Sequence, residues 1–228
     1  SLFLGIVLML LETPGKLVTL GQVLRETLQD GDGSAYFAKV INDRAKTGNP
    51  YSGACVRALN SYISIASENT RSGVMTSFRS KLELWMNPIV DAATSGNDFD
   101  LRDLRKKRMS IYVGVTPDNL KRMAPLMNLF YQQLIDLNTR ELPEHNPELK
   151  YQVLLMMDEF TALGKLECLS DGISFIAGYG LRLLPIFQSP AQIVDKYGEA
   201  AAETFSTNHA AQIIYPPKVS ELKTARDI

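Results

Sequence analysis

Five apolar residues, Val153 to Met157, run directly into two adjacent carboxylates, Asp158 and Glu159. A short continuous apolar run reads as a buried strand of a parallel sheet. In an open parallel sheet the C-terminal ends of the strands face the ligand crevice. Side chains alternate along a strand, so its exit turn lets the two carboxylates point differently. One can hold Mg2+ directly or through a bound water. The other can orient an attacking water and take its proton. That is the Walker B arrangement of nucleoside triphosphate hydrolysis, a metal-binding aspartate (Asp158) followed by a catalytic glutamate (Glu159). The plainer alternative is a buried strand that meets solvent at an Asp-Glu pair.

A second strand candidate, Leu181 to Phe187, is followed at once by Gln188 and Ser189. A neutral amide at that strand end would share the crevice, where it can donate to a γ-phosphate oxygen or position the water. The plainer alternative is a strand-to-helix junction capped by Ser189. The phosphate cradle is missing. A P-loop needs G-x-x-x-x-G-K-[ST]. Gly15-Lys16 and Gly164-Lys165 are each followed by leucine, and Leu10 and Glu159 stand where the first glycine belongs. The chain also opens inside an apolar run without methionine, as a piece of a longer protein would. Arg102, Arg105, Lys106, Lys107 and Arg108 form a basic cluster. A solvated linker is its plainer meaning and contact with DNA phosphates the sharper one. His145 and His209 have no cysteine or histidine at metal spacing, which argues against zinc. No G-x-S-x-G is present, which argues against a nucleophile-elbow hydrolase.

These residues need a scaffold, and the chain reads as two kinds of structure. The first hundred residues read as helical. Leu2 to Leu11 is a ten-residue apolar run, half the roughly 20 residues of a membrane span, and favours a buried helix. Thr19 fits an N-cap for a helix over 20–28, with Gln22 at the capping-box position. Ser34 fits a cap for a helix to Lys46, and further helices fit 52–69 and 72–85. After about residue 100, strand-length runs alternate with helices. Strands are expected at 109–115, 153–157, 181–187 and 211–215, with helices at 118–137, 165–177 and 190–205. This alternation implies βαβ units and a parallel sheet covered on both faces. The 228 residues suffice for one or two domains with a core. Composition is ordinary for a globular protein, at 45% hydrophobic and 21% charged, which argues against a disordered chain or a collagen. A net charge of −1 gives no global field for nucleic acid. Two cysteines argue against a disulfide framework and suit a reducing compartment.

In this order the motifs resemble the TraG/TrwB coupling proteins of conjugative type IV secretion. The resemblance lies in LLMMDEF, the GYGLRL segment from Gly178, PIFQS from Pro185, AQI from Ala191, Tyr197-Gly198 and FSTNH from Phe205. LETPGKLVTLGQVLRE and the SFRSKLELWMNP–NDFDLRDL stretch extend it over essentially the whole chain. The resemblance implies an inner-membrane-anchored ATPase, hexameric when assembled, on the cytoplasmic face of a bacterial membrane. It would couple a relaxase-bound single DNA strand, or effector proteins, to the inner-membrane components of the secretion channel. The implied fold is α/β: a RecA-like parallel sheet with helices on both faces, interrupted by an all-α domain. Residues 1–97 would be the all-α insertion that docks substrate, and residues 98–228 part of the RecA-like nucleotide-binding domain. Asp158 then matches the Mg2+ ligand, Glu159 the catalytic base and Gln188 the phosphate-sensing glutamine, with ATP and Mg2+ as cofactors. Some relatives carry an arginine before the Gly-rich turn that acts on a neighbour's nucleotide. Here that neighbourhood reads Ile176-Ala177-Gly178, and Arg182 is the nearest candidate. Without its own phosphate cradle, this chain alone should be inactive. The rival readings are a non-enzymatic docking module and a RecA-like hexameric DNA translocase or helicase.

Overall fold

The computed structural model describes residues 1–29, 31–209 and 211–214. Contacts divide the chain into two units, Ser1–Asp98 and Phe99–Ile228.

The first unit is built from helices α1 (Leu2–Leu11), α2 (Leu20–Thr27), α3 (Gly33–Lys46), α4 (Gly53–Ile63), α5 (Glu68–Leu82) and α6 (Pro88–Ala93). Helix α1 buries Leu2, Ile6, Met9 and Leu10 and leaves Phe3, Leu4 and Leu11 exposed. It meets α4 at Gly5, where a Cβ would lie 2.9 Å from the backbone nitrogen of Leu59. Only glycine lets the two backbones come that near. No described helix is long and apolar enough to cross a membrane.

Local caps set most of the helix starts. Thr19 accepts from the Gln22 amide at 3.1 Å, as its spacing predicts. The other half of the capping box does not form: the Gln22 side-chain oxygen instead accepts from Arg25 Nε at 2.9 Å, while its Nε2 donates to Glu26 at 2.6 Å. Helix α3 is capped by Asp32, which accepts from the Ser34 amide at 3.0 Å, so Ser34 is the capped residue and not the cap. The helix expected over 52–69 is shorter, and the one expected over 72–85 runs from Glu68 to Leu82. α4 ends at Ile63, and α5 starts under its own cap, Ser67.

A buried carboxylate sits at the centre of the polar contacts of this unit. Glu26 is 2% exposed. It accepts from Lys16 Nζ at 2.8 Å, Gln22 Nε2 at 2.6 Å and Tyr36 Oη at 2.5 Å. Burial pushes its pKa upward, but the bonds from Lys16, Tyr36 and Gln22 outweigh it and hold Glu26 below the ordinary glutamate value. Burial and the same contact push the Tyr36 phenol up.

The second unit contains α7 (Leu120–Asn138), β1 (Val153–Met157), α8 (Glu167–Gly172), β2 (Leu181–Pro185), α9 (Pro190–Tyr197) and α10 (Glu199–Thr207). β1 and β2 pair in parallel, Val153 opposite Leu181 through Met157 opposite Pro185. Pro185 is accommodated because the Met157 carbonyl takes its bond from the Ile186 amide, at 2.9 Å. The missing donor of Pro185 therefore falls on the other edge of β2. Two further strands expected from the sequence do not form. Residues 109–115 and 211–214 carry no strand, and Tyr215 lies outside the described residues. The expected cover on both sheet faces is also absent among the described residues. Val153, Leu155 and Met157 are buried, whereas Leu154 and Met156 are 57% and 62% exposed. The helix expected over 165–177 is shorter, and that over 190–205 is broken at Gly198, whose φ of +85° and ψ of 165° suit glycine alone.

The basic cluster is occupied with structural contacts. Arg105 is 2% exposed, and its Nη1 donates to the carbonyls of Asn138 and Glu141 at 2.8 and 2.9 Å. It thereby satisfies a carbonyl at the end of α7, where helix carbonyls lack intrahelical partners. Arg102 pairs with Asp100, Lys106 with Glu148 and Lys107 with Asp103. Arg108 lies over the Tyr151 ring.

Tyr36→Phe removes the hydroxyl from a charged acceptor and should cost about 1.5–3 kcal/mol, read by urea unfolding. The Glu26 contribution is complete above the unfolded glutamate pKa and is lost as pH falls through its lower folded value. Native stability should therefore fall more steeply on acidification below about pH 4.5 than that of Glu26→Gln, and equal slopes would remove Glu26 from that role.

Candidate functional site

The site lies where the two parallel strands leave the sheet. Pairing continues one step beyond the strands: the Ile186 amide donates to Met157, and the Phe160 amide donates back to Ile186, both at 2.9 Å. That pair of bonds brings the residues after β1 against the residues after β2. Asp158, Glu159 and Gln188 are all exposed at this end. Gln188 Nε2 donates to Glu159 Oε1 at 3.1 Å, and the Glu159 amide donates to Asp158 Oδ1, also at 3.1 Å. The Glu159 carboxylate and the Gln188 carboxamide expected at strand ends are thus bonded to each other, and the Asp158 carboxylate is tied to the Glu159 backbone.

The turn that makes this possible is unusual. Glu159 has φ 49° and ψ 46°, and among the described residues it is the only non-glycine with positive φ. A left-handed residue reverses the chain immediately after the strand, so the Glu159 side chain projects across toward β2. Beneath it, Phe160 is fully buried and stacks on Tyr197 at 5.3 Å between ring centroids, with Phe205 packed against both. Tyr197 Oη accepts from the Leu166 amide at 3.1 Å, and burial pushes its pKa up to about 12. The aromatic cluster anchors the turn from below and leaves the carboxylates in solvent.

Arg182 lies elsewhere. It stands opposite Leu154 near the start of β2, and its Nη1 donates to the Ala177 carbonyl at 2.9 Å. There it lines a cleft of about 260 Å³ with Lys150, Tyr151 and Gly178, at the sheet end away from Glu159. His209 packs on Phe205 and bonds its carbonyl.

The donor chemistry of the site fits Mg2+. Asp158 and Glu159 offer only oxygen, and Mg2+ commonly takes one or two protein carboxylates and fills its other positions with water and phosphate. Among the described residues no group of three His, Cys, Asp or Glu forms a cage for a metal. Two contributors were not singled out in the sequence. Gln192 accepts from the Gln188 amide at 3.0 Å, and Thr161 is buried beside it. Gln192 was visible as a glutamine one turn after Gln188 in AQI, but nothing local marked its direction.

A family model described as type IV secretory system conjugative DNA transfer matches residues 1–227. The VirD4 protein of Rhizobium rhizogenes is 39% identical over 156 residues, covering 66% of this chain and 23% of that protein. The plasmid coupling protein TrwB, solved with a non-hydrolysable GTP analogue, superimposes with a TM-score of 0.62 at 20% identity, covering 99% of this chain and 55% of that one. TrwB solved with ADP and Mg2+ gives a TM-score of 0.57, also at 20% identity, with the same shares of the two chains. The likeness shows the α/β, RecA-like fold expected from the sequence. The chain spans about a quarter of the length of the curated relatives it matches.

Holding Glu159 left-handed costs a non-glycine residue about 1–2 kcal/mol. Glu159→Ala keeps that strain, whereas Glu159→Gly relieves it at some cost in unfolded-chain entropy. The glycine variant should be the more stable of the two by up to about 1 kcal/mol, measured by urea unfolding. An alanine variant at least as stable would contradict the assigned turn.

Proposed function

The chain belongs to the type IV secretory system conjugative DNA-transfer family, and from that premise we propose that it carries the water-activating, metal-binding and phosphate-sensing half of a nucleoside triphosphatase site. The parent protein is then a coupling ATPase of secretion, moving relaxase-bound single-stranded DNA or effector proteins to the channel. The observation that carries this reading is the 3.1 Å bond from Gln188 to Glu159, which joins the exits of neighbouring parallel strands.

Each residue has a role its chemistry suits. Asp158 is a compact, exposed oxygen donor placed to hold Mg2+. Glu159 is the base: its carboxylate, aimed across the strand exits, takes a proton from water. Gln188 is neutral, so it can bond Glu159 and a phosphate oxygen without adding charge. Its movement between those partners would report hydrolysis to the backbone of β2 and α9. Mg2+ and ATP, when bound, supply the charge screening and the phosphoryl group that water attacks. The phosphate cradle must come from outside these 228 residues, since no G-x-x-x-x-G-K-[ST] occurs within them.

In this reading residues 98–228 form part of the RecA-like domain and residues 1–97 the all-α substrate-docking domain. The parent acts as a homo-hexamer on the cytoplasmic face of the bacterial inner membrane. Arg182, at the far sheet end and tied to Ala177, serves no nucleotide on its own subunit. Any part it plays is toward a neighbour.

In the full-length protein, Glu159→Gln should lower phosphate release by at least about 100-fold and leave Mg·ATP bound. Native turnover in that variant would overturn the proposal. The 228-residue chain alone should bind Mg·ATP with a Kd no tighter than about 1 mM by calorimetric titration. Micromolar binding would show that the chain holds its own phosphate cradle.

A further inference from the structure

Neither pairing of the strands nor the turn at Glu159 fixes where the Gln188 amide group points. The ladder between the strands ends at Ile186, whose amide and carbonyl make its last two bonds. Gln188 lies beyond it, exposed, and followed by Ser189 and the proline that starts α9. A carboxamide on such a segment would sample many positions unless something else held its backbone.

Gln192 does so. Its own amide donates to the Ser189 carbonyl at 3.1 Å, placing it in the first turn of α9. Its side chain then folds back over the loop, and Oε1 accepts the Gln188 amide at 3.0 Å. The same oxygen accepts from Thr161 Oγ1 at 3.5 Å, from the segment that follows β1. Thr161 is buried, and its neighbour Phe160 stacks on Tyr197 of α9. One oxygen atom therefore receives a donor from each strand exit: from the glutamine that bonds Glu159 on one side, and from the segment two residues past Glu159 on the other.

We propose that Gln192 is a positioning residue, which holds the Gln188 backbone so that its carboxamide meets Glu159. This rests on the reading of Glu159 and Gln188 given above. Gln192 does not touch the reacting groups. It acts through Gln188, so its loss should impair turnover more than nucleotide binding. The requirement is for an acceptor oxygen at that point. Glutamate, which keeps an Oε at the same reach, should replace it, and methionine, of similar length but lacking the oxygen, should not.

The test uses Gln192→Met, Gln192→Ala and Gln192→Glu in the full-length protein, beside Glu159→Gln. In Gln192→Met and Gln192→Ala, kcat should fall about 10- to 100-fold, as for a small misplacement of a catalytic group, with KM for Mg·ATP within about twofold of native. Gln192→Glu should recover most of kcat. Near-native kcat in both truncations, or equal impairment in Gln192→Glu, would overturn the proposal. A second measurement needs no turnover: hydrogen exchange at the Gln188 amide in the 228-residue chain. It should accelerate in Gln192→Met and return toward native in Gln192→Glu, and unchanged exchange in Gln192→Met would also overturn it. Full turnover in Glu159→Gln would instead sink the catalytic reading, while the exchange data still judge whether Gln192 holds Gln188.

Discussion

Everything at the candidate site depends on two backbone hydrogen bonds just past the ends of the strands. Ile186 donates to Met157, and Phe160 donates to Ile186. In a parallel ladder one residue bonds two residues of its neighbour, so this pair locks the register of both exits at once. Glu159 lies between the bonded residues on one strand, and Gln188 lies two residues beyond the bonded residue on the other. Slipping the register by one residue would turn Glu159 away from Gln188 and expose the buried Val153, Leu155 and Met157 in its place.

The ladder is held by burial on one side. Phe160 is the first residue after the carboxylates and has no exposed surface. Its ring is fixed by Tyr197 and Phe205, from the two helices that follow β2. Packing therefore pulls the chain inward immediately after Glu159, while the polar pair before it stays in water. A turn that sharp requires the left-handed backbone at Glu159, and the buried aromatic cluster offsets its strain. The opposite face of the sheet has no such cover among the described residues, as the exposure of Leu154 and Met156 shows.

Charge is handled differently in the two units. In the first, a buried carboxylate is surrounded by three donors, so its ionised form is stable and specific to the fold. In the second, a buried guanidinium makes no ion pair among the described residues, and the nearby Glu141 carboxylate only partly offsets its burial. Arg105 gives Nη1 to two carbonyls, while its Nε and Nη2 are buried without hydrogen-bond partners among the described residues. Burial accordingly lowers its pKa. Its neighbours Arg102, Lys106 and Lys107 pair with nearby acids. A row of basic residues whose plainer reading is a solvated linker thus includes one buried guanidinium and several surface ion pairs.

Local signals carried much of this fold. Thr19, spaced three residues before Gln22, caps its helix, and VLLMM has the length and apolar run of the strand that pairs with β2. The placement of Asp158, Glu159 and Gln188 at strand ends is likewise legible, because residue type and position at a strand's end are properties of a few neighbouring residues. Residues 109–115 form no strand despite their apolar run, because β-forming composition does not supply a partner strand, and a strand exists only through its ladder. The reach of Gln192, the burial of Arg105 and the left-handed backbone at Glu159 were decided by tertiary structure alone. Each depends on atoms far along the chain: on Thr161 for Gln192, on the end of α7 for Arg105, and on Tyr197 and Phe205 for the turn. Sequence spacing records periodicity along one segment, whereas hydrogen bonding and packing between segments decide which of its side chains meet.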